Sequence, residues 1–569
     1  MRKAKVKSIV LVLLVMVSVS LLFGGCGSSN TDGNASTTTG DSSDASTTTQ
    51  TGSGSAQKDW EMDTSPITLN EYFYASWGTN YPWQDGQYVA EIMKKKTGVT
   101  ADITLPTGND SEYLNVMIAG GDLPDIMVLE WYNPITQQLI KNGMIYSINE
   151  LAEKYAPGLM PMIPSDIINY HKQDDGKLYY LPSFFNSKDA YDKAEIKGND
   201  ARPFFVRKDI YEALGSPKMN TPDEWVSVLK QVKEKYPEVI PFGTENPISP
   251  ADPWDTNLSF TSYIPQSFNP EFAKGMIEGD RLLLDRRTPG WKEGLQFMRR
   301  LYSEGLFPRE LFTDKADQYK EKLDNGKYFM ASRFVNDIYG SHNQAAAQNT
   351  GDPNKVYMYN GNIVLKVDGK DPVYKSGSGA GWVCTMVTTK CQKPDRAIRF
   401  IEYLWSDEGQ MDNFFGTEGE TYETVDGIPK FKQSVLDEYN KDGNAWTAKY
   451  GFESKAILWR SEFNTLYRNA LAKPEQLETF KELSKYTIFS APLGLEGLDP
   501  SGDTQENVIK TKTDEDWAKT VPKLIMAKSD DEFNKIWDEA MKTQEKLGVE
   551  QLEKFRYQKH LEDLKRKGY

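Results

Sequence analysis

The chain has 569 residues, enough for two or more domains, and 26% of them are charged while 12% are aromatic. Its net charge of −15 argues against nucleic acid or an anionic surface as the main partner. The three cysteines and three widely separated histidines provide no disulfide framework, no zinc-ligand spacing and no His-based catalytic triad among sequence neighbours.

The first 25 residues have the features of a bacterial lipoprotein signal peptide. Basic residues come first, the apolar stretch 9–23 is too short to span a bilayer comfortably, and small residues precede Cys26. The end resembles a lipobox, although Phe23 stands where leucine is usual. We expect cleavage before Cys26 and diacylation of that cysteine, since two acyl chains suffice for stable anchoring. An uncleaved N-terminal anchor is the alternative.

Residues 26–58 are predicted to form a disordered tether behind the lipidated cysteine. The stretch consists of Ser, Thr, Gly, Asn and Asp with almost no large apolar residue, so it cannot bury enough surface to fold. A flexible chain of this length reaches ~30 Å. It would hold a folded body just off a membrane.

The folded body is predicted to begin near Pro66 as alternating strands and helices. Short connections between such elements are typical of a parallel sheet in an α/β lobe. The predicted elements are a strand at 67–74, a helix at 87–97 ended by Gly98, a strand at 99–105, a helix at 112–119 and a strand at 126–129.

The strand at 126–129 is the centre of the functional hypothesis. It is a continuous apolar run, as expected for a strand covered on both faces, and Glu130, Trp131 and Tyr132 follow it directly. Ligands of open α/β sheets lie beyond the carboxyl ends of the strands. These residues could therefore meet a ligand, or the aromatic rings could pack in the core.

A second candidate stretch is the loop after the first strand. It contains Trp77, Trp83, Asn80 and Asp85 within ten residues, at the same predicted edge. Ligand binding and simple loop packing remain equally open. By contrast, Thr221, Pro222 and Glu224 indicate a helix start with a capping box, so Trp225 is predicted to be a core residue.

Asp122-Leu123-Pro124-Asp125, after a small-residue helix end, resembles the first-lobe motif of family-one extracellular solute-binding proteins of bacterial ABC importers. Further stretches resemble the large oligosaccharide-binding branch, which includes the alginate-binding proteins and the heteropolysaccharide-binding lipoproteins. The resemblance runs from Pro66 to the C-terminus. Its stretches are 141–157, 175–182, 204–209, 329–335, 377–387, 393–410 and 413–429.

The resemblance implies an α/β, two-lobed periplasmic-binding-protein fold with a hinge, of the Venus-flytrap type. The N-terminal lobe would comprise 59–180 and 310–375, and the helix-rich C-terminal lobe 181–309 and 376–569. Residues 393–410 are predicted to form one amphipathic helix, and the C-terminal tail is predicted to be helical.

Other candidate ligand contacts are scattered along the chain. Trp254 lies in a polar loop, and Trp382 follows a glycine-rich stretch that lacks the Gly-Lys-Ser/Thr of a phosphate loop. Arg333 follows a short strand and could pair bidentately with the carboxylate of a uronic sugar, or form a surface salt bridge. Glu418 and Tyr422 lie in a stretch that resembles the oligosaccharide-binding branch.

Flat aromatic rings for sugar faces and planar polar groups for hydroxyls suit an oligosaccharide ligand. The resemblance implies a monomeric, lipid-anchored, extracytoplasmic protein that closes on this ligand and delivers it to the transmembrane permease subunits of an ABC transporter. An anchored extracellular glycoside hydrolase with two carboxylates is one alternative. A lipoprotein receptor for peptides or for a signalling partner is another.

No cofactor is expected. The resemblance to alginate-binding proteins raises the question of a structural calcium ion, but the oxygen-rich stretch 186–195 lacks the spacing and glycine of an EF-hand loop. Cys384 and Cys391 could form a disulfide outside the cell or remain two buried thiols.

Overall fold

The computed structural model describes residues 58–74, 83–106, 110–197, 201–244, 260–376, 380–453, 458–500 and 502–567. The predicted signal peptide and the tether up to residue 57, with Cys26, lie outside this range, and so do Trp77 and Trp254. No helix in the described ranges is long and apolar enough to cross a membrane.

The first sheet has five strands in the order β2-β1-β3-β12-β4. Strands β1, β2 and β3 run parallel, as predicted, while β12 runs antiparallel to both β3 and β4. Its strands are β1 (Ile67–Phe73), β2 (Val99–Thr104), β3 (Ile126–Glu130), β4 (Leu181–Pro182) and β12 (Val383–Val387).

The second sheet has four strands in the order β10-β5-β9-β6, with β6 parallel and β5 antiparallel to β9. Its strands are β5 (Phe204–Arg207), β6 (Ile240–Gly243), β9 (Tyr328–Ser332) and β10 (Tyr357–Met358). Three two-stranded pairs are formed by β7 (Ile277–Glu278) with β8 (Arg281–Leu282), β11 (Tyr374–Ser376) with β15 (Thr487–Phe489), and β13 (Tyr422–Val425) with β14 (Ile428–Phe431).

Helices connect and cover both sheets. In the described part of the chain they are α1 (Tyr88–Thr97), α2 (Asp110–Gly120), α3 (Pro134–Lys141), α4 (Ile148–Tyr155), α5 (Leu159–Met162), α6 (Ser165–His171), α7 (Lys188–Lys193), α8 (Lys208–Ala213), α9 (Pro222–Lys235), α10 (Phe260–Phe268), α11 (Trp291–Ser303), α12 (Ala316–Asp324), α13 (Val335–Asp337), α14 (Asn343–Thr350), α15 (Pro394–Trp405), α16 (Asp407–Phe414), α17 (Gln433–Lys441), α18 (Gly443–Tyr450), α19 (Ser461–Leu471), α20 (Pro474–Ser484), α21 (Gln505–Ile525), α22 (Asp530–Leu547) and α23 (Val549–Lys567). A π turn (Ile338–His342) joins α13 to α14.

Each sheet has its own hydrophobic core, and this separates two lobes. One core gathers residues of the second sheet with Trp225, Trp291 and Phe533, whereas the cores on the two faces of the first sheet include Met93, Leu129 and Trp405. Trp225 is fully buried, which confirms its prediction as a core residue.

The strand pairing corrects the predicted division between the lobes. Strand β9, within the segment 310–375 assigned to the first lobe, pairs with β5 and β6 in the second sheet. Strand β12, assigned to the second lobe, pairs with β3 and β4 in the first sheet, and α15 to α19 contribute to the core of that sheet. Hydrogen bonds between segments far apart in the chain decide which sheet each strand joins, and no local sequence pattern indicates these bonds.

Two helix boundaries illustrate what local sequence signals can and cannot predict. Helix α1 ends at Gly98 with φ of 71°, and a Cβ there would lie 2.3 Å from the Thr64 carbonyl oxygen, so only glycine fits. The single helix predicted for 393–410 is instead α15 and α16. The Ser406 hydroxyl accepts a hydrogen bond from the Gly409 amide (3.0 Å) and begins the second helix.

Candidate ligand-binding site

Side chains at the ends of three strands meet at one edge of the first sheet. Strands β1 and β3 are parallel, so Tyr74 and Glu130 leave the sheet at the same edge. Strand β12 is antiparallel and begins there, which places Trp382 beside them. Tyr74, Glu130, Trp131 and Trp382 are all partly exposed. We call this region the aromatic edge.

The Glu130 carboxylate lies at the centre of the aromatic edge. Its Oε1 accepts hydrogen bonds from the Tyr74 hydroxyl (2.9 Å) and from Trp382 Nε1 (3.3 Å). The rings of Tyr74 and Trp382 are in edge-to-face contact, with centroids 6.3 Å apart. The carboxylate therefore orients two flat rings and remains partly accessible to a polar group of a ligand.

Trp131 is fixed by contacts on several sides. Its Nε1 donates to the Gly381 carbonyl oxygen (3.0 Å), and its ring meets those of Tyr170 and His171 edge-on. The backbone of Gly497 also lies against it, since a Cβ on Gly497 would come within 2.8 Å of the indole ring. Trp131 thus supports the segment that carries Trp382.

The segment Ala380–Trp382 is held by its backbone. The Trp382 amide donates to the Ser183 carbonyl (2.8 Å), and the Trp382 carbonyl accepts from the Trp131 amide (3.4 Å). Gly381 has φ of 77°, and a Cβ there would lie 2.5 Å from the Ser183 oxygen. This close approach requires glycine and gives Trp382 one orientation.

Phe184 is a component of the aromatic edge that sequence analysis missed. Its φ of 66° is unusual for a bulky residue and costs on the order of 1–3 kcal/mol. Its ring contacts Trp382 edge-on and also contacts Trp459, whose carbonyl accepts from the Phe184 amide (2.6 Å). No pattern in the sequence marks a phenylalanine for left-handed backbone.

His171 was also missed by the sequence analysis, and its buried ring lies next to the aromatic edge. Its Nε2 lies 2.8 Å from the Ala380 carbonyl oxygen, which can only accept, so Nε2 carries the proton. Nδ1 then accepts from the Tyr180 hydroxyl (3.2 Å). Burial, with a smaller contribution from the positive charge of Lys567, lowers the pKa of His171 to about 3, so the ring is neutral at physiological pH.

A cationic group of side chains lies at an edge of the second sheet. Arg333 follows β9, and Arg202 lies shortly before β5, which runs antiparallel to β9, so both meet at the same edge. Arg333 Nε donates to Asp337 Oδ2 (2.9 Å), and the Arg202 guanidinium lies over the Phe334 ring at 3.9 Å. The predicted contact Arg333 therefore belongs to the second lobe.

Other predicted contacts lie elsewhere. The Trp83 ring packs in the first-lobe core against Phe400 and is only 9% exposed, so it offers no surface for stacking. Asp85 is exposed and lies 3.6 Å from the Lys94 ammonium group. Because no local pattern distinguishes a core tryptophan from a ligand-facing one, only the tertiary packing could make this correction.

Glu418 and Tyr422 line a separate groove of about 600 Å³. The groove is also lined by Lys95 and Lys96, at the end of α1. Helix α1 runs back from the carboxyl end of β1 to the start of β2, so the groove lies at the opposite end of the first lobe from the aromatic edge. The Tyr422 ring is buried against Phe415, and the Glu418 carboxylate accepts from the Thr424 amide (3.2 Å).

Within the described residues, the structure also places the two cysteines and part of the oxygen-rich stretch. Cys384 and Cys391 are both buried free thiols. Part of the oxygen-rich stretch 186–195 forms α7, which Ser187 caps through the Ala190 amide (3.1 Å). The described residues contain no group of three or more His, Cys, Asp or Glu side chains arranged to hold a metal ion.

Two α/β lobes, each with its own sheet, and an aromatic edge on one of them define a two-lobed periplasmic-binding-protein fold. The chain belongs to the family of bacterial extracellular solute-binding proteins, whose family model matches residues 87–421. It is therefore a binding protein rather than an enzyme.

Similar proteins of known sequence include an ABC transporter substrate-binding protein and a lipoprotein. A fructooligosaccharide ABC transporter substrate-binding protein of Streptococcus pneumoniae, FusA, is 24% identical over 42% of this chain and 45% of its own length. Lipoprotein LipO of Bacillus subtilis is 21% identical over 59% of this chain and 64% of its own length. The chain thus matches less than two thirds of each of these two relatives.

Solved structures share the fold over most of the chain. The alginate-binding protein AlgQ2 without calcium ion has a TM-score of 0.65 at 19% identity and covers 89% of this chain and 100% of its own. Streptococcus pneumoniae FusA in complex with kestose has a TM-score of 0.63 at 18% identity and covers 87% of this chain and 99% of its own.

Proposed function

We propose that this protein is the membrane-anchored solute-binding component of a bacterial ABC importer and that it captures an oligosaccharide. The observation that carries the proposal is the aromatic edge, where Tyr74 and Trp382 donate hydrogen bonds to the Glu130 carboxylate and Phe184 contacts the Trp382 ring. Rings can cover the C–H faces of a sugar while the carboxylate accepts from its hydroxyl groups. The names of FusA and AlgQ2, which refer to fructooligosaccharide and alginate, support the same ligand class.

Direct binding measurements test this proposal. The purified full-length protein is titrated by calorimetry with a panel of neutral and uronic-acid oligosaccharides. We expect one class to bind, and Trp382→Ala to weaken binding at least 30-fold, or about 2 kcal/mol, as for a central aromatic contact. Trp517→Ala is the control, because Trp517 is a partly buried tryptophan packed against Trp537 on the C-terminal helices. No binding across the panel by a folded protein would reject the proposal.

The cationic edge of the second lobe distinguishes neutral from acidic ligands. A guanidinium group binds a carboxylate bidentately, and lysine does not reproduce that geometry. If the ligand contains uronic acid, Arg333→Lys is expected to weaken it about tenfold while leaving a neutral oligosaccharide unaffected. Equal binding of the acidic ligand by both proteins would show that Arg333 does not contact it.

A separate experiment tests the predicted lipid anchor. The signal-like segment and Cys26 predict diacylation, and the lipoprotein relative LipO supports that expectation. In cells that express the protein, we expect it in the membrane fraction and expect Cys26→Ser to prevent acylation of the chain. Mass spectrometry of the mature N-terminus measures the modification, and an unmodified Cys26 in the wild type would contradict the anchor.

A further inference from the structure

The C-terminal helix α23 reaches from one lobe to the other. Near its start, Glu553 pairs with Arg287 (3.0 Å), which lies just before α11 and the second-lobe core. At its end, Lys567 lies over the ring of Tyr170 in α6 at 4.6 Å. A helix of 19 residues is ~28 Å long, which suits such a span.

Lys567 is unusually well held for a residue at the end of a terminal helix. Its side chain is only 6% exposed, and its ammonium group donates to the Ala491 carbonyl (3.1 Å). It also lies 2.9 Å from Asp563 and 3.5 Å from Glu496 Oε2. A buried cation with several anionic and carbonyl partners fixes the positions of those partners.

Glu496 connects this cation to the aromatic edge. The same Oε2 accepts a hydrogen bond from the Ala380 amide (3.1 Å), and the Ala380 carbonyl accepts from His171. Gly381 and Trp382 follow directly, with the contacts to Trp131 and Ser183 described above. The path from Lys567 to Trp382 thus runs through one carboxylate and two peptide units.

We propose that Lys567 is a positioning residue for the binding site: through Glu496 it holds the segment Ala380–Trp382, and with it the Trp382 ring, in place at the aromatic edge. Its importance for ligand affinity rests on the function proposed above. Its effect on the segment does not, because the contacts exist without a ligand.

Hydrogen exchange of the ligand-free, full-length protein tests the contact. Lys567→Met keeps the aliphatic stem over Tyr170 and removes the charge, and we expect exchange of the Ala380 amide to accelerate about tenfold. The strand β3 and the second-lobe strand β9 should exchange as in the wild type. Lys567→Arg should restore slow exchange. Lys559→Met is the matched control, since Lys559 lies on the same helix in an exposed ion pair with Glu562.

Calorimetry on the same proteins separates the two proposals. With a ligand found in the panel, we expect Lys567→Met to bind 5- to 10-fold more weakly and Lys559→Met to bind normally. Unchanged exchange at Ala380 in Lys567→Met would overturn the positioning role, as would acceleration of every peptide together, which signals general destabilisation. Faster exchange at Ala380 alone, in a protein that binds no oligosaccharide, would support the positioning role and reject the proposed function.

Discussion

At the scale of single residues, Glu71 has the most unusual environment in the first sheet. It lies in β1 opposite Ile103 and Ile126 and is 1% exposed, and neither carboxyl oxygen has a hydrogen-bond partner among the described residues. Burial raises its pKa from 4.5 to about 8, so the side chain is neutral at pH 7. The folded protein therefore holds a proton that the unfolded chain releases.

This proton makes stability fall with rising pH. Because the folded-state pKa is the higher one, the stabilising contribution is complete below pH 4.5 and is lost as the pH rises to about 8. Glu71→Gln keeps the shape and removes the titration. We expect its free energy of unfolding to exceed that of the wild type by a few kcal/mol, on the order of 1.4 per unit of pKa shift, at pH 8.5 and to match it near pH 4.5.

Urea denaturation at several pH values measures this difference. Asp102→Asn, an exposed carboxyl-to-amide change on the neighbouring strand β2, is the control. If the stabilities of wild type and Glu71→Gln stay parallel between pH 5 and 8.5, the buried carboxyl group does not titrate as described.

At the scale of secondary-structure elements, helix α9 shows how a local signal positions a core. Its buried Trp225 meets the rings of Phe204 and Phe242, on strands β5 and β6. Thr221 accepts from the Glu224 amide (3.2 Å), and the Glu224 carboxylate accepts from the Thr221 amide (3.0 Å). The sequence predicted this capping box, and the structure confirms it.

Removing the cap should destabilise the second lobe. Thr221→Ala leaves the Glu224 amide without its side-chain acceptor, and we expect it to lower the free energy of unfolding by about 1 kcal/mol. Ligand affinity should not change under conditions in which both proteins are fully folded. Thr511→Ala serves as the comparison, because Thr511 is exposed within α21 and alanine is favoured there. Equal effects of the two substitutions in chemical denaturation would show that the cap contributes nothing.

At the scale of the whole molecule, the proposed function predicts a ligand that contacts both lobes. A ligand stabilises a closed form only through contacts that the open form lacks. Hinge closure is a common response in two-lobed binding proteins. Such a ligand would contact the aromatic edge of the first lobe and the edge of the second lobe that carries Arg202 and Arg333.

Closure and stabilisation should therefore accompany binding. At a ligand concentration of 100 Kd we expect a gain of about 2.7 kcal/mol in unfolding free energy and a smaller radius of gyration in X-ray scattering. Trp382→Ala at the same concentration should gain at most about 0.9 kcal/mol, because its Kd is at least 30-fold higher, and should show a smaller change in scattering. A ligand that stabilises the protein with no change in scattering would place its contacts on one lobe alone.

Part of the site could be predicted from the sequence because its members directly follow recognisable strands. Glu130 and Trp131 follow an apolar run, and Trp382 precedes another, so local order was enough to select them. Trp83 has an equally suggestive context and lies in the core. Phe184, His171 and Lys567 were missed because each acts through a residue far away in the chain, across 198 positions for Phe184 and Trp382 and 71 for Lys567 and Glu496.

By itself, the sequence determined the local elements and the class of protein. Apolar periodicity, glycine at Gly98 and the cap at Thr221 act within a few residues, so they can be read without a partner. Only the tertiary structure decided that β9 belongs to the second sheet and β12 to the first, and that Trp382 meets Glu130. Those outcomes depend on hydrogen bonds and packing between distant segments. The sequence of either segment alone does not determine the free energy of these contacts.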